Sequence, residues 1–506
     1  MNGSISPVRI PDRSDSHLRN YIFIVCAGLV VFSPSLFHSF VSDDFHWISR
    51  GAHLSFKDLF RNFEDTSYNI FRPLLPIFFS VLYRFFGLSP LGYHLSSILI
   101  HVFNALLFYR LILYISLKKE IALIATVIFV THFANEETVF WISSNCVLCS
   151  WFFSFLCILT FIEWLRGRGL WCYFLSLGIA TIAFLFREDA LVLPLILLLL
   201  MGLELLRSKQ EIRKDFNHSS SSTSILSLAP FFLLVFVYLY FRSISLSDLH
   251  FASLISLNPI NAIRNFAYFL FNLTLPLRLI FDVLGYQHSQ AINSTVNSID
   301  SNWLMVVASL LVVTFSIPVF WLWFRKASND LKPLVVLFII LLLPCLFTKG
   351  YGLRFTYMPL LGFVPLSSYF ILYLIKRINK YNRRLEKHYI FVALIIVMIL
   401  NFLILFERQR WWREASRICQ ETITHAGTVM SSLPEGSTVC FMGLPVRSHG
   451  AYIFNNGFIE AMSLYYPSYN SAITVEDSSK PCIQEEEVVR NHHGFKYNNG
   501  EFFQLF

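Results

Sequence analysis

A chain of 506 residues that is 55% hydrophobic and 14% charged, with a mean hydropathy of +0.57, is too apolar for a soluble globular protein. Its apolar runs are continuous and long enough to cross ~30 Å of hydrocarbon as helices, which excludes the short alternating segments of a β-barrel. The formal net charge of +8 lies in short Lys and Arg clusters between those runs, so it reports membrane topology rather than a nucleic-acid partner.

In chain order, residues 1–20 form a polar tail with Arg9, Arg13 and Arg19 ahead of an uncleaved signal anchor. Hydropathy predicts eleven spans, at about 21–41, 93–115, 120–135, 143–165, 170–186, 189–206, 224–242, 303–324, 333–348, 355–375 and 389–406. Residues 42–92 form a first loop of short amphipathic helices on the membrane surface, and 208–223 form a flexible linker. The segment 261–281 is apolar but carries Arg264, Asn265, Asn272 and Arg278. Reading it as interfacial or re-entrant keeps the basic clusters at Lys118/Lys119, Arg166/Arg168, 207–214, 325–332 and 376–387 on the side of the N-terminus, as the positive-inside rule requires. The expected fold is thus an all-α polytopic membrane domain over 21–406, with residues 407–506 as a small extracytoplasmic α/β cap. In that cap, helices are expected at 407–432 and 452–466 and a strand at Thr438–Met442.

This topology gathers the reactive residues on the extracytoplasmic side. Asp43 and Asp44 follow the first span, Glu137 lies between the third and fourth, and Arg187, Glu188 and Asp189 join the fifth and sixth. Arg354 precedes the tenth, and Arg72 lies in the first loop. Carboxylates with arginines at membrane depth suit a reaction in which an acid deprotonates a hydroxyl while guanidiniums stabilise a departing phosphate. His94 and His101 on one apolar helix, the Cys146/Cys149 pair and the His492–His493 pair read as packing or surface residues rather than ligands. Cys440 and Cys482 could form a disulfide in an oxidising compartment.

The order Asp43-Asp44, Phe71-Arg72-Pro73-Leu74, Gly87 to His94, His101 to Tyr109, His132 to Val139, Arg187-Glu188 with Leu193-Pro194, and Arg354 to Pro359 resembles the C-type (GT-C) membrane glycosyltransferase superfamily. It looks most like the protein O-mannosyltransferases and the membrane part of the transmembrane-and-TPR O-mannosyltransferases. The resemblance implies an inverting transfer of a monosaccharide from a polyprenyl-phosphate donor to an acceptor, with Asp44 or Asp43 as base and a lean towards Asp44. It further implies Arg354, Arg187 and Arg72 as phosphate ligands and Glu137 and Glu188 as supporting acids. Some relatives in the superfamily use a divalent cation, so the resemblance also allows one shared by Asp43, Asp44 and Glu137, although two or three carboxylates without geometry are a weak metal signal. The sequence departs from the family at Phe133, where Pro is usual, and at Leu353, where Glu is usual. The acceptor, whether glycan, lipid or protein, is left open. The expected home is a bacterial inner membrane with the site facing the periplasm. The alternatives are a polyprenyl-lipid transporter or flippase, which would place charges inside broken spans, and a noncatalytic relative.

Overall fold

The computed structural model describes residues 14–55, 71–212, 225–245, 258–276, 331–348, 352–378, 383–434, 437–469, 473–475, 492–498 and 500–505. The expected span at 303–324, residues 213–223 of the linker expected at 208–223, Arg278 and Cys482 lie outside them; residues 208–212 of that linker are instead the end of the helix Leu193–Ile212.

The chain opens with α1 (Ser14–Phe32), which Ser33 and Pro34 tighten into a 3₁₀ turn over Ser33–Phe37; together they give a first apolar span at His17–Phe37, about four residues earlier than expected. Then come α2 (Asp43–Ala52), α3 (Leu74–Phe86), α4 (Pro90–Ser116) and α5 (Lys119–Thr131). Pro90 opens α4 at a position where its missing N–H is no loss. At His132, whose ring accepts from the Ala134 N–H, the chain bends by 47°; it continues through α6 (Glu136–Phe140) into α7 (Asn145–Leu165). The expected span at 120–135 is therefore a broken one, and the break puts Glu136 and Glu137 on a short helix of their own.

There follow α8 (Leu170–Phe186), α9 (Leu193–Ile212), α10 (Ala229–Ser245), α11 (Pro259–Thr274), α12 (Lys332–Leu346) and α13 (Tyr357–Ile378). Among the described residues seven helices are long and apolar enough to cross a membrane, or eight if the bent pair is one span; α3, α8 and α12 are apolar but shorter. The segment expected to be interfacial is α11. Its buried Asn265 donates to the carbonyls of Leu346 and Thr348 at 2.8 Å each, satisfying acceptors left open at the end of α12.

The last long helix, α14 (Arg383–Ser431), runs 49 residues without a break, joining the expected span at 389–406 to the helix expected at 407–432. At ~1.5 Å per residue it is ~70 Å long, more than twice the ~30 Å hydrocarbon layer, so its second half stands clear of the membrane. That half carries a four-stranded sheet in the order β4–β1–β5–β6, built from Thr438–Met442 (β1), Ile473–Val475 (β4), His492–Asn498 (β5) and Glu501–Gln504 (β6). A two-residue pairing of Arg447–Ser448 (β2) with Ala451–Tyr452 (β3) and the helix α15 (Phe458–Tyr465) complete it. The helix expected at 452–466 begins later, because Gly457 sits at φ +87 and starts it.

The bundle has two chemically distinct ends. At one, Tyr114 donates to Glu204 at 2.6 Å, Arg166 and Arg207 stack on the Tyr114 ring, and Lys118 lies over Tyr369. The other end receives Asp43, Asp44, Arg72, Glu137, Arg187, Glu188, Asp189 and Arg354.

Candidate functional site

Asp43 and Asp44 open α2, and the two carboxylates have different surroundings. Asp44 is 1% exposed. Its Oδ1 accepts from the Ser143 N–H at 2.8 Å and the Ser143 hydroxyl at 2.6 Å, and its Oδ2 from the Val41 N–H at 3.1 Å. Burial outweighs these three donors and pushes its carboxyl up to about 7. Asp43 is only partly buried, and its Oδ1 accepts from Asn456 at 3.0 Å and from the Ser42 hydroxyl at 3.3 Å. The structure therefore separates the pair that the sequence left close to even. Asp44, the favoured one, is a buried anchor, whereas Asp43 is the one with an open side.

The corner bearing Asp43 is shaped by the C-terminal part of the chain. The Ser42 N–H donates to the Ile453 carbonyl at 2.7 Å, and Phe45 stacks on Phe454 at 6.3 Å. His46 meets Glu460 at 3.2 Å. A Cβ on Gly457 would stand 2.2 Å from the Ser42 carbonyl oxygen, so this close approach requires glycine.

Arg187 is almost fully buried, its Nε 3.1 Å from Asp189 Oδ2, and its Nη2 has no acceptor among the described residues. Arg72 Nη1 and Arg187 Nη1 converge on Cys146 Sγ at 3.5 Å and 3.9 Å. Arg72 Nη2 also reaches Glu188 Oε1 at 3.1 Å; burial disfavours its charge, but Glu188 more than compensates and holds the guanidinium protonated. Arg242 Nη1 lies 3.3 Å from Glu188 Oε2. Arg354 donates to Glu137 Oε1, while the Leu353 N–H donates to Glu137 Oε2 at 2.6 Å. Arg187 and Arg354 each stand 5.1 Å from the Phe355 ring, which links the two guanidiniums. Arg354 also lies 4.9 Å from the Trp141 ring and donates to Tyr452 at 3.3 Å; Trp141 stacks on Tyr452 at 4.5 Å. The segment that contacts Arg354 through Tyr452 is thus the one that contacts Asp43 through Asn456.

Asp43, Asp44, Arg72, Glu137, Arg187, Glu188 and Arg354 all lie at this end. Glu137 is committed to Arg354, and Asp44 to Ser143. Among the described residues no group of three or more His, Cys, Asp or Glu side chains could hold a metal ion, so Asp43, Asp44 and Glu137 do not form a cation site. His101 is a satisfied core histidine between the Tyr357 hydroxyl at 3.1 Å and the Val130 carbonyl at 3.2 Å. Cys440 is disulfide-bonded, and the pairing expected for it runs to Cys482, outside the described residues. Sequence reasoning missed Arg242, Ser143, Tyr452 and Asn456. Only Arg242 carried a local signal, a charge at the end of its expected span that the positive-inside pattern puts on the same side as the other candidates. It also missed that Glu136, beside Glu137, is a buried partner of Arg408 and accepts from Trp412 at 2.9 Å.

No protein-family model and no curated protein matches the chain. Among solved structures it is similar to ArnT from Cupriavidus metallidurans, solved bound to undecaprenyl phosphate. That match has 10% identity and a TM-score of 0.45, over 94% of this chain and 92% of that one. It is also similar to the oligosaccharyltransferase of Archaeoglobus fulgidus, solved tethered to an acceptor peptide, at 10% identity and a TM-score of 0.45. There the match spans 91% of this chain and 64% of that one.

Proposed function

We propose that this chain is a membrane glycosyltransferase that moves a monosaccharide from a polyprenyl-phosphate donor to an acceptor hydroxyl on the extracytoplasmic face, with inversion at the sugar. The observation that carries this reading is Arg187. A guanidinium with 1% exposure whose Nη2 has no acceptor among the described residues is a group waiting for an anion. It stands beside Arg72 and Arg354 at the same end of the bundle as a partly open carboxylate, Asp43. The basic side chains Arg166, Arg207 and Lys118 at the opposite end support an extracytoplasmic site by the positive-inside rule. A bacterial inner membrane with the site on the periplasmic side fits this orientation.

In the proposed reaction Asp43 takes the proton of the acceptor hydroxyl. The hydroxyl oxygen attacks the anomeric carbon from the face opposite the phosphate, forming the new glycosidic bond as the bond to the phosphate oxygen breaks. The electron pair leaves on the phosphate, where Arg187, Arg72 and Arg354 stabilise it. Glu137 orients Arg354, and Asn456 holds one oxygen of Asp43 and leaves the other for the proton.

The test follows transfer from a labelled polyprenyl-phosphate hexose in membranes carrying Asp43→Asn or Asp44→Asn. Loss of a general base costs on the order of 10²–10⁴-fold, expected for Asp43→Asn, with a smaller loss for Asp44→Asn. Full activity in Asp43→Asn would overturn the assignment.

A further inference from the structure

Glu188 stands between two cations in an arrangement that an ordinary ion pair does not require. Each of its oxygens meets a different guanidinium, Oε1 with Arg72 at 3.1 Å and Oε2 with Arg242 at 3.3 Å. Two acceptor oxygens each facing one arginine is also how the two non-bridging oxygens of a phosphodiester are bound.

The cations, moreover, are held independently of the carboxylate. Arg242 donates to the Tyr238 hydroxyl at 3.2 Å, and that hydroxyl reaches the Phe71 carbonyl at 3.4 Å. Arg72 donates to Cys146. The side chains of Arg72 and Arg242 are 16% and 9% exposed, whereas that of Glu188 is 30% exposed, so the anion is the accessible member. Removing it would leave the two guanidiniums in place.

We infer that Arg72 and Arg242 form an anion subsite for the lipid phosphate that Glu188 occupies as an internal surrogate. This rests on the donor proposed above and adds Arg242 to its ligands. Charge explains what the surrogate does. Arg72, Arg187 and Arg242 face Glu188 and Asp189, three guanidiniums against two carboxylates, leaving one positive charge. A sugar-linked phosphodiester carries one negative charge and matches it. The released phosphomonoester, with a second pKa of about 6, carries nearly two and exceeds it. Glu188 thus weakens the hold on the product more than on the donor and speeds its release.

The experiment uses the full chain in detergent and measures binding of labelled polyprenyl phosphate without turnover, with inorganic phosphate as a competing probe. Glu188→Gln is expected to bind polyprenyl phosphate about tenfold more tightly, since a like charge beside the ligand is gone, while donor KM falls less and turnover slows after an initial burst. Arg242→Gln is expected to weaken polyprenyl phosphate binding about tenfold. Inorganic phosphate that competes better in Glu188→Gln than in the wild type shows that the subsite reads the phosphate group, and competition by the lipid alone shows that the tail is required. A folded Glu188→Gln with unchanged or weaker binding overturns the inference and makes Glu188 a structural ion pair. Should Glu188→Gln fail to fold, Glu188→Ala, which also removes the charge, must tighten binding in the same direction or the inference falls. Absence of polyprenyl phosphate binding in the wild type would instead overturn the donor assignment.

Discussion

Asp44→Asn changes stability with a sign that depends on pH. In the unfolded chain the Asp44 carboxyl loses its proton near 3.8, whereas in the folded chain burial keeps the proton on until about 7. Between those values the unfolded state binds fewer protons, so the wild type is most stable below the lower pH and loses stability as pH rises to the upper one. At ~1.36 kcal/mol per tenfold change in proton affinity, the loss is roughly 4 kcal/mol and is complete above pH 7. Asparagine does not titrate. Its carbonyl oxygen can keep both Ser143 bonds, but its amide then faces the Val41 N–H across 3.1 Å, donor against donor, at a cost of about 1–3 kcal/mol. The variant should therefore be less stable than the wild type at about pH 3.5 and more stable at about pH 8.5, with the two curves crossing at about pH 4.5–6. Thermal unfolding of the purified full chain in detergent across that range reads the crossing directly. A difference between the two proteins that does not vary with pH would refute the reasoning.

Other substitutions test separate parts of the structure. Arg408→Met leaves Glu136 buried without its cation, and since both side chains are at most 1% exposed the loss should be about 3–5 kcal/mol. Adding Glu136→Gln should recover most of it in the same unfolding assay. Gly457→Ala places a methyl 2.2 Å from the Ser42 carbonyl oxygen at a φ of +87, so the segment must move off the Asp43 corner. A displacement of ~1 Å there should lower transfer on the order of a hundredfold with the membrane helices intact, measured as kcat alongside helical circular dichroism.

Much of this arrangement was legible because two rules act together along the chain. Apolar length marks the spans, and the side on which Lys and Arg collect decides how they alternate. Arg72, Glu137, Arg187, Glu188 and Arg354 could therefore be assigned to one end before their contacts were known. What escaped depends on side-chain direction or on distant chain. Glu136 and Glu137 are adjacent and equally acidic, yet one turns to Arg408 and the other to Arg354. Hydropathy falls at residue 407 although the helix does not, because chemistry can change sharply along α14 without any change in backbone geometry. Tyr452 and Asn456 reach the site from more than 400 positions after Asp43, and no local pattern announces such a contact. The Asn455-Asn456-Gly457 turn did carry the signal that the helix begins after Gly457 rather than at 452.

The Asp43-Asp44 pair shows why two neighbouring acids need not share one task. Successive residues on a helix point ~100° apart, so at the start of α2 one carboxylate can face the interior while the next faces outward. The inward one, Asp44, is fastened to Ser143, two residues before the helix carrying Cys146. The Cys146 sulfur in turn contacts Arg72 and Arg187. A continuous path therefore runs from the carboxylate beside Asp43 to the guanidiniums assigned to the phosphate, and it passes through Asp44. In the proposed mechanism the separation between base and leaving group is then set by Asp44, the acid that takes no proton. In Asp44→Asn any loss of transfer should thus come from position rather than proton transfer, and it should persist across pH where the loss in Asp43→Asn is chemical.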